Sequence, residues 1–313
     1  MKLLITRPLP DKVMQLALTR FEVEARTSTL PLSEAELRAA LTGYDAVLAT
    51  LGDRFSAEVF ASVTPRARLI ANFGVGYNHI DVAAAKAAGV AVTNTPGAVT
   101  EATADVALTL LLMTARRAGE GERMLRAGGW QGWHPTQLLG AMVAGKRVGI
   151  IGMGRIGQAI ARRCHHGFGM EVVFHNRSAT EAGLPARQVP LAEAMAADFV
   201  VIAVPGGPAN RHMISAEVLA QMKPQGILIN ISRGDVIDEA ALAGALQTGR
   251  IAGAGLDVYE NEPAVTPALL SLENVTLLPH LGTAVQEVRE AMGMMALDNL
   301  LAHLEGRSLP NPV

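Results

Sequence analysis

Short runs of apolar and β-branched residues alternate along the chain with longer, alanine-rich segments. Such alternation is typical of strands and helices arranged around a parallel β-sheet. The first third of the chain predicts strands in KLLIT, FEVEA, AVLAT, RLIANF and VAVTN. A later series predicts further strands in RVGIIG, EVVFHN, FVVIAVP, GILINIS, GAGLDV and VTLLPH. The pattern therefore predicts an α/β protein with two parallel sheets.

The length of 313 residues exceeds the usual size of a single hydrophobic core, which favours two domains. The tail from about Thr283 has helical periodicity and no strand after it, so we expect it to return to the first domain. We predict a discontinuous first domain, residues 1–96 plus 283–313, and a second domain, residues 97–282. Within the second domain, ADVALTLLLMTARR is too short and too charged to span a bilayer, and it predicts a buried helix.

The charge balance points away from polyanionic partners. Lys and Arg total 27 against 29 for Asp and Glu, so no basic field favours nucleic acid or an anionic membrane, and the expected partner is a small molecule. Cys164 is the only cysteine, which excludes an intramolecular disulfide, favours a reducing compartment and leaves no cysteine cluster for a metal. No signal-peptide pattern follows Met1, so we predict a cytoplasmic protein without a metal site.

A glycine triplet follows the first strand of the second series. In KRVGIIGMGRIGQAIARR, Gly152, Gly154 and Gly157 have the G-x-G-x-x-G spacing between a predicted strand and a predicted helix. The first glycine permits a tight turn, the second lets a pyrophosphate approach the backbone, and the third lets helix and strand pack closely. The helix N-terminus then presents N–H groups to negative charge. The triplet predicts a dinucleotide site, with an ordinary strand–turn–helix as the alternative.

The next predicted strand ends without the acid that an NAD site usually carries. That acid binds the ribose hydroxyls and repels a 2′-phosphate. This chain has Asn176, Arg177 and Ser178 instead. Asn176 removes the repulsion, Arg177 offers a guanidinium that matches phosphate oxygens, and Ser178 adds a hydroxyl donor. We predict NADP(H) as the preferred cofactor and NAD(H) as the other possibility; the alternative is that Arg177 is a solvated surface residue and either cofactor binds.

Three later segments place reactive groups at predicted strand ends. They are INISRGDVID with Arg233, GLDVYENEP with Glu262, and TLLPHLGTA with His280. Taken singly, each has an ordinary interpretation as a surface ion pair, a turn or a structural histidine. After a nucleotide motif they together supply a cation, a carboxylate and a titratable imidazole, which is a set suited to acid–base catalysis.

With these segments, the sequence resembles the D-isomer-specific 2-hydroxyacid dehydrogenase family over nearly its whole length. The shared motifs also include NFGVGYNHID at 72–81, VTNTPGAVTEATAD at 92–105 and GKRVGIIGMGRIGQ at 145–158. HNRS and LPHLGTA are most similar to the NADP-dependent glyoxylate/hydroxypyruvate reductase branch. The resemblance implies two doubly wound domains, with a Rossmann cofactor domain inserted into a flavodoxin-like substrate domain. It also implies a homodimer formed through the cofactor domains.

The resemblance implies roles for the three reactive residues. Arg233 would bind the substrate carboxylate, His280 would be the proton donor, and Glu262 would hold that histidine. When a hydride from the nicotinamide reaches a 2-keto carbon, negative charge grows on the carbonyl oxygen and must be stabilised and protonated. An imidazole beside a carboxylate suits this task, because the carboxylate stabilises the protonated ring.

Further site residues are implied by their places in the shared motifs. The backbone amides of Val75 and Gly76 would meet the substrate carboxylate, and Leu51 with the neighbouring glycine would line the pocket. The remaining cofactor contacts would be Arg155 and Ile156 at the pyrophosphate, and Thr103, Pro205, Ile231 and Asp257 near the nicotinamide. We interpret His79 and Asp81 as structural.

Two segments carry expectations of their own. The two tryptophans of GGWQGWHPTQLLG are interpreted as packing residues, while the resemblance implies that this stretch reaches toward a partner subunit. VPGGPANRHMI lacks the threonine that is common at this place in the wider family, which leaves the cofactor contacts of that loop open.

The leading hypothesis is an NADPH-dependent reductase of small 2-keto acids, with glyoxylate and hydroxypyruvate first. A phosphoglycerate dehydrogenase would need several cations for the substrate phosphate, whereas ATLGDRF offers only Arg54. A formate dehydrogenase usually pairs its histidine with glutamine, so Glu262 disfavours it. The same fold also serves non-catalytic nucleotide sensors, an alternative that the set of Arg233, Glu262 and His280 disfavours.

Overall fold

The computed structural model describes residues 1–313 and contains two parallel β-sheets, one of five strands and the other of seven. The chain divides into two compact units. Unit 1 comprises Met1–Val99 and Ala284–Val313, and unit 2 comprises Thr100–Thr283. Because unit 2 is one continuous stretch, it is inserted into the sequence of unit 1.

Unit 1 contains the five-stranded sheet. Its strands are β1 (Lys2–Ile5), β2 (Glu22–Ala25), β3 (Ala46–Thr50), β4 (Leu69–Phe73) and β5 (Ala91–Thr93). They pair in the order β2-β1-β3-β4-β5, which is the order of the flavodoxin-like fold. Every residue of β3 is buried, as expected for a parallel strand that is covered on both faces.

Helices connect these strands and begin at residues suited to a helix start. They are α1 (Asp11–Arg20), α2 (Glu34–Gly43), α3 (Ala57–Ala61) and α4 (Val82–Ala87). Ser33 and Glu36 form a reciprocal capping box at the start of α2. Asp81 caps α4 by accepting the backbone N–H of Ala84 at 2.9 Å, which is a structural role.

Unit 2 contains the seven-stranded sheet. Its strands are β6 (Arg147–Ile151), β7 (Glu171–His175), β8 (Ala186–Gln188), β9 (Phe199–Ile202), β10 (Ile227–Asn230), β11 (Gly253–Leu256) and β12 (Val275–Leu277). Their order is β12-β11-β10-β9-β6-β7-β8, which is the Rossmann order with one strand added at the end. Strand order reverses beside β6, the place where such sheets bind dinucleotides.

The helices of unit 2 cover both faces of its sheet. They are α5 (Thr100–Ala115), α6 (Ala118–Arg126), α7 (Arg155–Arg162), α8 (Leu191–Met195), α9 (Ala216–Leu219), α10 (Glu239–Gln247) and α11 (Pro267–Leu270). The predicted buried helix is confirmed in α5, most of whose apolar residues are buried. A Cβ atom on Gly255 of β11 would lie 2.9 Å from Cβ of Leu110, so glycine allows α5 to lie close to the sheet.

The last helix, α12 (Gln286–Leu304), belongs to unit 1, where it packs against β4 and α1. All the strands predicted from the apolar runs are present, and the sequence missed only β8. That strand is three residues long and mostly exposed, so it lacks the apolar run on which the other predictions depend. None of the helices is both long and apolar enough to cross a membrane.

Candidate active site

The glycine turn after β6 leaves an open space at the start of α7. Gly152 has a φ of +101°, a left-handed conformation that glycine adopts without strain. A Cβ atom on Gly157 would lie 2.1 Å from the carbonyl oxygen of Gly152, so the third glycine is needed for α7 to pack on the turn. A Cβ atom on Gly154 would meet nothing within 4 Å. The turn therefore fits a pyrophosphate at the helix N-terminus.

The end of β7 carries the residues that the sequence predicts for cofactor choice. Arg177 and Ser178 are exposed on the turn. The side chain of Asn176 is hydrogen-bonded within the protein. Its Oδ1 accepts the N–H of Met153 in the glycine turn at 3.3 Å, and its Nδ2 donates to Thr180 Oγ1 at 2.7 Å. The neutral amide thus ties the glycine turn to the loop that presents Arg177 and Ser178.

His280 and Glu262 form a hydrogen-bonded pair beyond the carboxyl ends of β12 and β11. His280 Nδ1 lies 2.8 Å from Glu262 Oε2, and Glu262 Oε1 accepts the backbone N–H of Tyr259 at 2.9 Å. Burial raises the pKa of Glu262, but the hydrogen bond and charge of His280 and the charge of Arg233 together lower it below its ordinary value. Glu262 is therefore a carboxylate at neutral pH, and Nε2 is the ring atom of His280 that remains for a substrate.

Asp257, directly after β11, fixes the backbone that carries His280. Its carbonyl oxygen accepts the N–H of His280 at 3.0 Å, and its carboxylate accepts the N–H groups of Leu281 and Gly282 at 2.6 and 2.8 Å. Burial raises the pKa of Asp257, although these two N–H groups oppose that rise. Asp257 therefore determines how the loop after β12 presents the imidazole.

Arg233 follows β10 at the same edge of the sheet. Its Nη1 donates to the carbonyl oxygen of Ser232 at 2.7 Å. Asn230 holds this turn, because its Nδ2 donates to the carbonyl of Arg233 at 3.0 Å and its Oδ1 accepts the N–H of Ser232 at 3.0 Å. Burial lowers the pKa of Arg233, while the charges of Glu262 and Asp235 raise it. A guanidinium keeps its charge under such conditions.

Two residues that the sequence analysis did not single out hold the loops of Arg233, Glu262 and His280 together. A Cβ atom on Gly234 would lie 1.8 Å from the carbonyl carbon of Tyr259, so only glycine lets the Arg233 turn lie against the segment that leads to Glu262. The hydroxyl of Tyr259 donates to the carbonyl of Leu278 at 2.8 Å, two residues before His280. Both residues stand in the quoted motifs, but neither has a reactive group that would mark it.

The other cofactor residues predicted in unit 2 lie in or beside the same loops. Ile231 is buried after β10, and Pro205 is exposed after β9. Thr103, in α5, donates its hydroxyl to the carbonyl of Gly282 at 3.2 Å and so lies next to the His280 loop. The last two, Arg155 and Ile156, are the first residues of α7.

Unit 1 carries the predicted substrate residues on the loops after β3 and β4. Leu51 is exposed, and its carbonyl accepts a hydrogen bond from the guanidinium of Arg7. Arg7 Nη2 also lies 3.6 Å from the fully buried carboxylate of Asp53. Arg7 and Asp53 therefore fix the Leu51 loop, a role that the sequence does not announce. Val75 and Gly76 are partly exposed after β4.

The segment between α6 and β6 corrects one prediction. Trp130 is 51% exposed and Trp133 is 79% exposed, so their interpretation as packing residues within the chain is wrong. Leu139 and Met142 of the same segment are 66% and 70% exposed. We call these four residues the apolar strip. The local sequence did not reveal it because the apolar character of a residue does not say whether its side chain is buried in a core or exposed.

Comparison with known proteins decides the family. Residues 108–282 match the family model described as the NAD binding domain of D-isomer specific 2-hydroxyacid dehydrogenase. A glyoxylate reductase from Thermococcus onnurineus is 44% identical, over 100% of this chain and 95% of that protein. The chain belongs to the D-isomer specific 2-hydroxyacid dehydrogenase family. The resemblance identified in the motifs is thereby confirmed.

Solved structures of related proteins have the same fold as this 2-hydroxyacid dehydrogenase. A Thermus thermophilus protein is 43% identical, with a TM-score of 0.93 over the whole of both chains. The NADPH-dependent glyoxylate/hydroxypyruvate reductase of Sinorhizobium meliloti, in complex with NADP and malonate, is 38% identical, with a TM-score of 0.88 over 100% of this chain and 96% of that one. The predicted α/β fold with a Rossmann domain is confirmed, and the protein is an oxidoreductase with an NAD(P)-binding domain.

Proposed function

We propose that this dehydrogenase reduces small 2-keto acids, glyoxylate and hydroxypyruvate first, to 2-hydroxy acids with NADPH. The observation that carries the proposal is the 2.8 Å pair of His280 and Glu262 on loops after neighbouring strands of the Rossmann sheet. The Thermococcus and Sinorhizobium relatives, which are named for glyoxylate reduction, support the choice of substrates.

His280 is the proposed proton donor. Its Nδ1 is held by Glu262, so Nε2 would donate the proton to the keto oxygen of the substrate. The cofactor, when bound, supplies the hydride for the keto carbon. The negative charge of Glu262 stabilises the imidazolium before the transfer, and the neutral ring would accept the proton in the oxidation direction.

In unit 2, Arg233 is proposed to bind the substrate carboxylate. In unit 1, the backbone N–H groups of Val75 and Gly76 are proposed as carboxylate donors. A guanidinium presents parallel N–H donors that match a planar carboxylate. Fixing the carboxylate orients the keto carbon for hydride transfer and the keto oxygen for the proton. Leu51, exposed after β3, is proposed as a further substrate-binding residue of unit 1.

The preference for NADPH over NADH rests on the turn after β7. Arg177 and Ser178 are exposed there, and Asn176 places a neutral amide where an acid would repel a 2′-phosphate. Gly152, Gly154, Gly157, Arg155 and Ile156 would hold the pyrophosphate, and Thr103, Pro205, Ile231 and Asp257 would lie near the nicotinamide.

Two alternatives are less well supported. A phosphoglycerate dehydrogenase would need several cations near the substrate, and the loop after β3 offers Arg54, which is exposed, beside Arg7, which already binds Leu51 and Asp53. A non-catalytic NADPH sensor would have no use for a carboxylate that holds an imidazole at 2.8 Å.

We propose a homodimer formed through unit 2, supported by the apolar strip. Monomeric proteins seldom expose large contiguous apolar patches, and this segment exposes four large apolar side chains. The single, buried Cys164 supports a cytoplasmic location. Light scattering after size exclusion would measure the mass, and the double substitution Trp130→Ser and Trp133→Ser is expected to shift it toward the monomer.

The test of the function follows the absorbance of the reduced nicotinamide with glyoxylate, hydroxypyruvate and pyruvate, first with NADPH and then with NADH. Wild-type protein is expected to oxidise NADPH fastest with glyoxylate or hydroxypyruvate. His280→Gln is expected to lose about 10²-fold or more in kcat, because it lacks the proton donor, while its affinity for NADPH is unchanged. The matched control is His303→Gln in α12, for which we expect wild-type rates.

Two results would contradict the proposal. Tight NADPH binding with no oxidation by any of the acids would favour the sensor alternative. Normal turnover by His280→Gln would remove that residue from the proton-transfer step.

A further inference from the structure

Three successive carbonyl oxygens in the loop after β4 accept hydrogen bonds from amide donors of unit 1. The side-chain Nδ2 of Asn72 donates to the carbonyls of Gly74 and Gly76, each at 3.0 Å. The Nδ2 of Asn94 donates to the carbonyl of Val75 at 2.8 Å. The backbone of residue 95 also donates to the carbonyl of Gly74 at 3.0 Å. Three successive carbonyls are thus held on one side of the loop.

The N–H groups of the same peptides are left for another partner. Neither Val75 nor Gly76 donates its backbone N–H to an acceptor within the protein, and both residues are partly exposed. Because the N–H and the carbonyl of a peptide unit point in opposite directions, holding the carbonyls inward aims the N–H groups outward. Successive outward N–H groups make an anion-binding concavity.

We propose that Asn72 and Asn94 are positioning residues that give this loop its polarity toward the substrate carboxylate. The inference rests on the proposed function, since it assumes that residues 75 and 76 bind a 2-keto acid. Neither asparagine touches the substrate. Each acts through the peptide that it holds, and a flipped peptide would present a carbonyl oxygen to a carboxylate and repel it.

The chemistry of Asn72 allows only this arrangement. The side chain is 1% exposed, and its Oδ1 has no hydrogen-bond partner, while its Nδ2 faces two carbonyl oxygens. The reverse amide orientation would bring three oxygens together without a proton between them.

The end of β10 has the same arrangement of a buried asparagine that donates to a loop carbonyl. Asn230, the last residue of β10, is also buried, and its Nδ2 donates to the carbonyl of Arg233 at 3.0 Å. In both units, therefore, a buried asparagine at a strand end holds the backbone of a loop to which we assign carboxylate binding. A side-chain amide is suited to this place because it can reach back to carbonyls that the strand ladder no longer satisfies.

The test uses Asn72→Asp in the full-length protein, which keeps the side-chain size and removes both amide donors. We expect KM for glyoxylate, and the inhibition constant of oxalate as a non-reducible carboxylate probe, to rise about tenfold or more. The Kd for NADPH should stay within about twofold, and kcat should fall less than kcat/KM. A general loss of structure would change all these constants together, and the neutral Asn94→Ser variant separates the loss of an amide donor from repulsion by the new carboxylate of Asn72→Asp.

The matched control is Asn274→Asp. Asn274 also bridges two carbonyls, those of Leu246 and Ala252 at 3.3 and 3.4 Å, but it lies at the amino end of β12, opposite the catalytic loops. The Asn274→Asp substitution is expected to lower the Tm without changing KM for glyoxylate. If Asn72→Asp does not fold, Asn94→Ser carries the test, because its side chain is only partly buried and makes one bond to the loop.

The outcomes separate this inference from the proposed function. Wild-type protein that reduces no 2-keto acid overturns the proposed function. A wild type that reduces glyoxylate, beside folded Asn72→Asp and Asn94→Ser variants with unchanged KM and oxalate inhibition, overturns the positioning role alone. A KM that rises in step with an equal loss of NADPH affinity would also overturn it.

Discussion

Asp257 accepts the backbone N–H of His280 on its own carbonyl oxygen, at 3.0 Å, and its carboxylate accepts the next two N–H groups along the chain. His280 has a φ of +54°, the left-handed conformation that side chains other than glycine adopt at a cost. Three hydrogen bonds from one residue therefore hold the proposed proton donor in a backbone conformation that it would not keep alone.

Asp257→Asn is expected to weaken this support. An amide replaces one of the two acceptor oxygens with a donor that faces a backbone N–H, at a cost of about 1–3 kcal/mol in the free energy of unfolding. We expect a lower Tm and a clear fall in kcat, because His280 is no longer held for proton transfer. Asp198→Asn is the control: its carboxylate also accepts a backbone N–H, that of Arg147 at 2.9 Å, but at the amino end of the sheet. Equal loss of kcat in both variants would contradict the expectation.

Arg233→Lys should separate charge from geometry. Lysine keeps the positive charge but loses the parallel donors that match a carboxylate. We expect KM for glyoxylate to rise by about 10- to 100-fold, with Kd for NADPH unchanged, on the scale of one charged hydrogen bond. Arg250→Lys is the control, because Arg250 also binds a backbone carbonyl, that of Met222 at 2.8 Å, away from the loops of Arg233, Glu262 and His280. Near-normal kinetics of Arg233→Lys would exclude bidentate binding.

The sequence predicted the sheet because apolar runs are a strong local signal. Apolar runs marked every strand except β8, and the glycine spacing marked the turn where the strand order reverses. His280, Glu262 and Arg233 were proposed because, after a nucleotide motif, they together supply an imidazole, a carboxylate and a cation, although each alone has an ordinary interpretation. The structure then placed His280 against Glu262, at 2.8 Å, although 18 positions separate them.

The supporting residues could not be predicted in the same way. Asn72 stands in a quoted motif, but nothing in its neighbours says that its amide bonds two carbonyls further along the loop. In the sequence, Asp53 cannot be distinguished from a surface carboxylate. In the structure it is buried and lies 3.6 Å from Arg7. Such roles depend on contacts between segments, which periodicity and spacing do not report. The interpretation of Trp130 and Trp133 was wrong for a related reason, since the exposure of a side chain depends on the whole fold.

Arg177→Ala tests cofactor choice. If the guanidinium binds the 2′-phosphate, its loss should weaken NADPH by about tenfold or more and leave NADH almost unchanged. The measurement is Kd for each cofactor by fluorescence titration. Arg20→Ala, which alters another exposed arginine, at the end of α1, is expected to change neither dissociation constant. An equal rise in the Kd of both cofactors in Arg177→Ala would mean that the turn after β7 does not bind the 2′-phosphate.

Glu262 should make stability depend on pH. Because its pKa is lowered in the folded protein, its contribution to the free energy of unfolding is present above the ordinary value of 4.5 and is lost as pH falls through the lowered value. The Tm difference between wild type and Glu262→Gln should therefore be largest near neutral pH and narrow in acid. Glu171→Gln, which alters an exposed ion pair with Arg147, should change the Tm little at any pH. A Tm difference between wild type and Glu262→Gln that persists in acid would contradict the stabilising contribution of the Glu262–His280 pair.

The same Glu262→Gln variant should also lose catalytic rate. The carboxylate of Glu262 lies 2.8 Å from His280 Nδ1, so it holds the ring and stabilises positive charge on it. A neutral amide of the same size can hold the ring but does not supply that charge. If His280 is the proton donor, kcat/KM for reduction should fall while the Kd for NADPH is unchanged. Glu171→Gln should keep the wild-type rate, and a wild-type kcat/KM in Glu262→Gln would mean that proton transfer does not use the charge of Glu262.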